Sequence, residues 1–138
     1  MKEFGSPNLD KIVSRLHSTD DARKRYEYVL WLGKKLPTLS LESLTPTIKV
    51  KGCVSEVYVL GSLSNGRIRW EGFSDALITK GLLALLIEGL NDLTPDQVLS
   101  IDECFIEYTG LNSSLTPSRA NGFLNILLHM KAQAKSFS

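Results

Sequence analysis

The sequence contains few cysteines, and their scarcity excludes two kinds of small protein. Cys53 and Cys104 are the two cysteines among 138 residues, and they do not form a Cys-x-x-Cys pair. This is not the dense framework of a disulfide-bonded secreted domain, so both are expected to be free thiols in a reducing compartment. A structural zinc site would have to recruit His17 and His129, which lack the short paired spacing of zinc ligands. We therefore expect neither a disulfide scaffold nor a metal.

The sequence also lacks a long apolar run and a block of one charge. Its most apolar stretch, residues 81–90, is too short to span a bilayer, and Lys80 and Glu88 interrupt the apolar residues around it. The 16 basic and 15 acidic residues are interspersed and give a net charge of +1, so no basic block fits a phosphate backbone. We expect no membrane and no nucleic acid as partner. The N-terminus resembles neither a secretory signal nor a transit peptide, so the chain is expected to be cytoplasmic or already mature.

Motifs of the common enzyme classes are missing as well. The chain has no Gly-x-Ser-x-Gly elbow, no P-loop and no dinucleotide fingerprint. His17 ends a predicted helix and His129 lies in another, positions more typical of surface residues than of catalytic bases. A cysteine–histidine nucleophile pair stays open, although no local signature supports one.

Apolar periodicity predicts helices on both sides of a short β region. Helical spacing recurs in the segments 7–18, 20–36, 74–90, 93–101, 102–111 and 115–135. Ser64-Asn65-Gly66 joins two runs of β-branched and aromatic residues, and Asn-Gly is a strong hairpin signal. A third strand is expected from residues 46–51. The order predicts an α+β fold, with a small three-stranded antiparallel sheet packed against helices. It forms one domain over residues 1–138, of which residues 1–7 are expected to be a flexible tail.

Cys53 lies at the junction of a loop and the first predicted strand. Gly52 precedes it, and a glycine there permits an unusual φ or the close approach of another molecule to the sulfur. The alternative is that Cys53 is a small buried apolar residue, as free cysteines often are. Cys104 has helical spacing with Ile101 and Tyr108 and is expected to be core.

Polar residues near two helix starts are further candidates. Ser74 is expected to cap the central helix, with Asp75 in its first turn where a negative charge suits the helix dipole. For Arg119 the alternative is a solvated position in the first turn of its helix, without a functional role. Asn121 and Gly122 follow it inside a predicted helix although neither is a strong helix former, which indicates a packing or functional reason.

Four ordered stretches resemble the SufE family of sulfur-acceptor proteins, which serve iron–sulfur cluster assembly. They are RYEYVLWLGKKLP at 25–37, KGCVSEVYV at 51–59, SDALITKGLLALL at 74–86 and LTPSRANGFLNIL at 115–127. The resemblance covers about residues 8–135 and is closest to cyanobacterial and plastid members. It implies the SufE/IscU-like sandwich, and it implies the plastid stroma as location if the chain is a mature organellar form.

The resemblance implies a function for Cys53. It matches the cysteine that takes persulfide sulfur from a pyridoxal-phosphate-dependent, SufS-like cysteine desulfurase, stimulates that enzyme and passes the sulfur to a SufBCD-type cluster scaffold. The pyridoxal phosphate belongs to the partner, and this chain is expected to bind no cofactor. The protein would then be an accessory sulfurtransferase and not a self-sufficient enzyme. A thiol-based redox or binding module without sulfur transfer remains the alternative.

The resemblance also implies supporting roles around Cys53. Arg119 would favour the thiolate or persulfide anion or help to dock the partner, and Asp75 would hold the cysteine-bearing loop in its resting position. Gly52 would serve as a hinge, with Ser55 and Asn121 as supporting residues. Glu56 and Tyr58 stand where many relatives have Gln and Trp. Glu56 would raise the thiol pKa if it pointed toward Cys53, and would influence partner choice if it pointed outward.

Overall fold

The computed structural model describes residues 2–138 and has an α+β architecture. Residues 2–138 form two α-helices, a β-hairpin and four further α-helices, in that order. Their bounds are α1 Pro7–His17, α2 Ala22–Gly33, β1 Val57–Ser64, β2 Arg67–Ser74, α3 Leu77–Leu90, α4 Pro95–Leu99, α5 Phe105–Tyr108 and α6 Pro117–Phe137. The predicted fold class is thus confirmed.

The two strands form an antiparallel hairpin in which Val57 pairs with Ser74 and Ser64 pairs with Arg67. Asn65 and Gly66 both have positive φ, 52° and 79°, as the Asn-Gly signal predicts. Trp70 and other alternate residues of β2 are buried, so one face of the hairpin packs on the core and the other is solvated.

The predicted third strand is wrong, since the sheet has two strands in residues 2–138. Segment 46–51 contributes an isolated bridge between Lys49 and Tyr58, and the Val50 N–H donates to the Val57 carbonyl at 2.8 Å. The physical reason is local. Pro46–Ile48 forms a 3-10 turn, and the chain turns again at Gly52, whose φ is +82°, so too few residues are extended to form a strand.

Helix α3 lies at the centre of the core. Nearly all of its residues are buried, and it contacts α1, α2, α6 and β2. Its apolar residues therefore form the centre of the fold. The helix begins at Leu77, later than predicted, because β2 extends to Ser74 and the next two residues are not helical.

The close packing of α2 on α3 depends on a glycine. A Cβ added to Gly81 would lie 2.2 Å from the Val29 carbonyl oxygen. We expect Gly81→Ala to lower the free energy of unfolding by about 2 kcal/mol, measured by urea denaturation, because overpacking exceeds the helix-propensity gain of alanine. Gly122→Ala in α6 is the matched control, since its added Cβ would meet only the Cys53 sulfur, at 3.6 Å. Equal stability of the two variants would contradict this account of the packing.

The segment before α1, where a flexible tail is expected, contacts the core in the described residues, and Met1 lies outside the described residues. Phe4 is 2% exposed and packs against the rings of Phe105 and Tyr108. Its N–H donates to the Asp10 carboxylate at 2.8 Å. Ser6 caps α1 by accepting a hydrogen bond from the Leu9 N–H. Burial of the aromatic ring and this capping tie the segment to the core.

The prediction that Cys104 is a core residue is also wrong. Cys104 is exposed and occupies the N-cap position of α5, while Phe105 is buried in its place. The Asp102 carboxylate accepts the Cys104 N–H at 3.0 Å, and this turn ends before the helix begins. The helix that forms is therefore shorter than the periodicity predicts.

Side chains cap two other helices. Thr94 and Gln97 form a capping box at α4, and Thr116 accepts the Arg119 N–H at the start of α6. Among residues 2–138, no helix is both long and apolar enough to span a membrane.

Candidate thiol site

Cys53 lies in a loop, residues 51–56, that we call the cysteine loop. It connects the bridge at Lys49 to the start of β1. The Cys53 side chain is half-buried and packs against the hydrophobic core. Its thiol is 3.7 Å from the Gly122 carbonyl of α6, to which it donates. The thiol is therefore sheltered without being sealed in the core.

The Cys53 sulfur borders a cavity of about 320 Å³, which we call the thiol cavity. Its walls come from the cysteine loop, from α3 and from the start of α6. The residues that line it are Cys53, Val54, Ser55, Thr79, Thr116, Ser118, Arg119 and Gly122. Three sequence-predicted residues, Cys53, Ser55 and Arg119, therefore share one cavity.

Gly52 gives the cysteine loop its turn. Its φ of +82° confirms the prediction of an unusual backbone conformation, and its carbonyl accepts a hydrogen bond from Asn125 Nδ2 at 3.0 Å. A Cβ at this position would lie 2.5 Å from the same Nδ2 atom. Both the backbone conformation and the contact with α6 require glycine here.

Asn125 was missed by the sequence analysis, which named Asn121 instead. Asn121 is exposed and lines a different hollow, beside Cys104. Asn125 follows Gly122 by one helical turn and so lies on the same side of α6 as the residue that touches the cysteine. That spacing was the available signal, but it becomes informative only once Gly122 is known to face Cys53.

Asp75 closes the other end of the cysteine loop. Its carboxylate accepts the Glu56 N–H at 3.0 Å, and its own N–H donates to the Glu56 carbonyl at 3.3 Å. The expectation that Asp75 lies in the first turn of α3 is wrong, because Ala76 is the N-cap and has no side-chain cap. Ser74 likewise does not cap α3, although its hydroxyl accepts the Ala76 N–H at 3.3 Å. The Asp75 carboxylate binds the loop and not the helix terminus.

The remaining predicted residues have weaker contacts. The Ser55 hydroxyl is 3.5 Å from the Thr79 hydroxyl of α3. The Arg119 guanidinium is exposed at the rim of the thiol cavity, and its Nη1 donates to the Tyr26 hydroxyl at 3.4 Å. A cation in this place is free to meet an anion that enters the cavity.

Burial raises the pKa of the Cys53 thiol above its ordinary value. Glu56 is not the cause, because its carboxylate pairs with Lys49 Nζ at 2.8 Å and does not line the thiol cavity. Of the two orientations considered for Glu56, the structure has the outward one. In the resting conformation Cys53 is therefore held as a neutral thiol.

This electrostatic state predicts how Cys53 reacts with iodoacetamide as pH changes. A raised pKa keeps the proton on sulfur, so in a Cys104→Ser background the alkylation rate at neutral pH is expected to be lower than that of an unstructured Cys peptide. The rate is expected to reach half its maximum at a higher pH than in the peptide, because only the thiolate reacts. An inflection at or below that of the peptide, measured in parallel, would contradict the sheltered site.

Fold and site together define a small α+β protein with a sheltered thiol on a loop at the edge of a hairpin. A family model described as "SufE: Fe-S metabolism associated domain" matches residues 10–134. The chain belongs to the SufE family, as the four sequence stretches indicate.

Several curated relatives are similar over nearly the whole chain. An uncharacterised SufE-like protein of Synechocystis is 51% identical over 95% of this chain and 82% of its own length. SufE-like protein 1, chloroplastic/mitochondrial, of Arabidopsis thaliana is 39% identical over 93% of this chain. The cysteine desulfuration protein SufE of Plasmodium vivax is 39% identical over 95% of this chain. The chain spans 35% of the Arabidopsis protein and 54% of the Plasmodium protein.

A solved structure has the same fold. The solution structure of a hypothetical protein from Thermus thermophilus superposes with a TM-score of 0.82 and 25% sequence identity. The match covers 95% of this chain and 96% of that chain. The α+β arrangement described above is therefore the fold of this solved neighbour as well.

Proposed function

We propose that this protein is a sulfur acceptor in iron–sulfur metabolism and that Cys53 carries the sulfur as a persulfide. The observation that carries the proposal is the position of Cys53. It is half-buried, it opens into a cavity with Arg119 at the rim, and its loop is fastened by single side chains at two points. Family membership and the desulfuration function in the names of the Plasmodium relatives support this assignment.

The transfer step is a thiol exchange. The Cys53 thiolate attacks the terminal sulfur of a persulfide on a cysteine desulfurase, a new S–S bond forms at Cys53, and the desulfurase cysteine leaves as a thiolate. The number of electrons balances, because one S–S bond forms as another breaks. The step needs no metal, and the pyridoxal phosphate that releases sulfur from cysteine belongs to the desulfurase.

The resting structure opposes this step until a partner is present. Burial disfavours the thiolate, so the cysteine loop has to open before Cys53 becomes a good nucleophile. Opening would break the Asp75–Glu56 and Asn125–Gly52 hydrogen bonds, and Arg119 already lines the cavity that the sulfur borders. Sheltering also protects a loaded persulfide from oxidants and reductants between transfers.

The proposed partners are those that the family resemblance implies. A SufS-like cysteine desulfurase supplies the sulfur and is stimulated when its own persulfide is removed, and a SufBCD-type scaffold receives it. A redox module would need a resolving thiol, and Cys104 lines a different hollow from Cys53. This arrangement favours sulfur transfer over disulfide chemistry. We place the reaction in the cytoplasm, or in the plastid stroma for an organellar form.

Mass spectrometry of the intact protein tests the proposal. After incubation with a cysteine desulfurase and cysteine, the wild type and Cys104→Ser are expected to gain sulfur atoms that a reductant removes. Cys53→Ser is expected to gain none. A wild-type protein without added sulfur, in the presence of active desulfurase, would contradict the proposal.

A further inference from the structure

A hollow between α2 and α3, which we call the α2–α3 hollow, exposes large apolar side chains. Trp31 is 48% exposed and Leu77 is 77% exposed, although both belong to helices that otherwise bury their apolar faces. The hollow has a volume of about 340 Å³, and the residues that line it include Leu30, Trp31, Lys34, Leu77, Lys80 and Glu27. Exposed apolar clusters of this kind mark interaction sites more often than isolated surface residues do.

The α2–α3 hollow and the thiol cavity are both lined by residues of helix α3. Leu77 lines the hollow, and Thr79, two residues further along α3, lines the cavity. On the α2 side, the Tyr26 hydroxyl contacts Arg119 at the cavity rim. Val54, which follows the reactive cysteine, is 88% exposed. Helix α3 and the Tyr26–Arg119 contact therefore link the hollow to the thiol cavity.

We infer that the α2–α3 hollow is the anchor for the cysteine desulfurase and that it receives an apolar side chain flanked by carboxylates. The inference rests on the proposed function, because a desulfurase that delivers sulfur to Cys53 has to reach the thiol cavity, which shares helix α3 with the hollow. A partly exposed tryptophan in a pocket is a typical centre of binding energy.

The charged side chains around the hollow also favour a partner with carboxylates. Lys34 and Lys80 line the hollow together with the carboxylate of Glu27, and Arg119 lines the thiol cavity. An acidic rim on the partner complements this surface. In a symmetric dimer formed through the hollow, Lys34 and Lys80 of one copy would instead face Lys34 and Lys80 of the other copy. These like charges repel. The desulfurase is therefore the favoured occupant.

Isothermal titration with the desulfurase tests the anchor. Trp31→Ala and Leu77→Ala are each expected to raise the Kd by at least about tenfold, as loss of a central apolar contact does. Leu63→Ala is the matched control. Leu63 is also 48% exposed, but it lies beside the hairpin turn, at the far end of β1 from the cysteine loop. The Kd of the Leu63→Ala variant for the desulfurase is expected to equal that of the wild type.

Two further readouts separate docking from damage to the site. The alkylation rate of Cys53 in the isolated variants is expected to be unchanged, and sulfur transfer is expected to reach the wild-type maximum at a higher protein concentration. Lys34→Glu is expected to weaken binding and to reduce its dependence on salt, because one screened charge contact is lost.

Specific outcomes would overturn the inference. If Trp31→Ala and Leu77→Ala bind the desulfurase like the wild type while sulfur still reaches Cys53, the anchor is wrong and the sulfur-acceptor function stands. If the wild type sediments as a dimer that Trp31→Ala dissociates, the hollow is occupied by a second copy. If no sulfur reaches Cys53 in the wild type, the proposed function fails and the anchor fails with it.

Discussion

Replacement of Cys53 by serine is expected to reduce the stimulation of a cysteine desulfurase to the level measured without any acceptor. Serine has nearly the same shape but cannot attack a persulfide sulfur at neutral pH, so the acceptor step disappears. The measurement is sulfide or alanine release by the desulfurase as a function of added protein. We expect a complete loss of stimulation, the largest functional effect of any single substitution in this chain.

Cys104→Ser is the matched control for this experiment. Cys104 is exposed, lies at the start of α5 and borders a different hollow. Its substitution is expected to leave the stimulation at the wild-type level. If the Cys53→Ser variant stimulated the enzyme as well as the wild type, Cys53 would be a structural residue and any activation would be a binding effect.

Asp75→Ala is expected to accelerate alkylation of Cys53 by about tenfold. The carboxylate accepts the Glu56 N–H at 3.0 Å and fastens the end of the cysteine loop. A hydrogen bond to a charged group contributes about 1.5 to 3 kcal/mol, and about 1.4 kcal/mol corresponds to a factor of ten in the open population. We use the lower end, because Asp75 is exposed to solvent. The rate is measured with iodoacetamide in a Cys104→Ser background.

Asp102→Ala is a close control for this variant. The Asp102 carboxylate also accepts a backbone N–H at 3.0 Å, from Cys104, but it lies outside the cysteine loop. In the Cys104→Ser background it is expected to leave the alkylation of Cys53 unchanged. Asp75→Asn keeps a neutral acceptor oxygen and is expected to give an intermediate rate. Equal rates for Asp75→Ala and the parent would show that this hydrogen bond does not hold the loop closed.

The sequence predicted those parts of the structure that depend on residues adjacent in the chain. Asn65-Gly66 specifies the hairpin turn because both residues accept positive φ. Gly52 before Cys53 indicated an unusual turn at the thiol, and the φ of +82° agrees. The Thr116-Pro117 pair specifies the start of α6 in the same way, because capping depends on neighbours in sequence.

Features that depend on distant contacts could not be predicted in this way. Asn125 binds the Gly52 carbonyl only because α6 packs against the cysteine loop. Aspartate is a residue type typical of helix starts, but the extension of β2 to Ser74 directs the Asp75 carboxylate to the loop. Phe4 has a polar, glycine-containing neighbourhood typical of a loose tail, and its burial depends on the aromatic residues of α5. Tertiary packing overrides local propensity at each of these positions.

Site-resolved mass spectrometry tests the central claim most directly. The wild-type protein is incubated with a cysteine desulfurase and cysteine labelled with a heavy sulfur isotope, trapped with an alkylating agent and digested. We predict labelled sulfur on the peptide that contains Cys53 and none on the peptide that contains Cys104, with the label removed by a reductant. Label on Cys104, or on neither peptide while the desulfurase is active, would contradict the assignment of Cys53 as the sulfur acceptor.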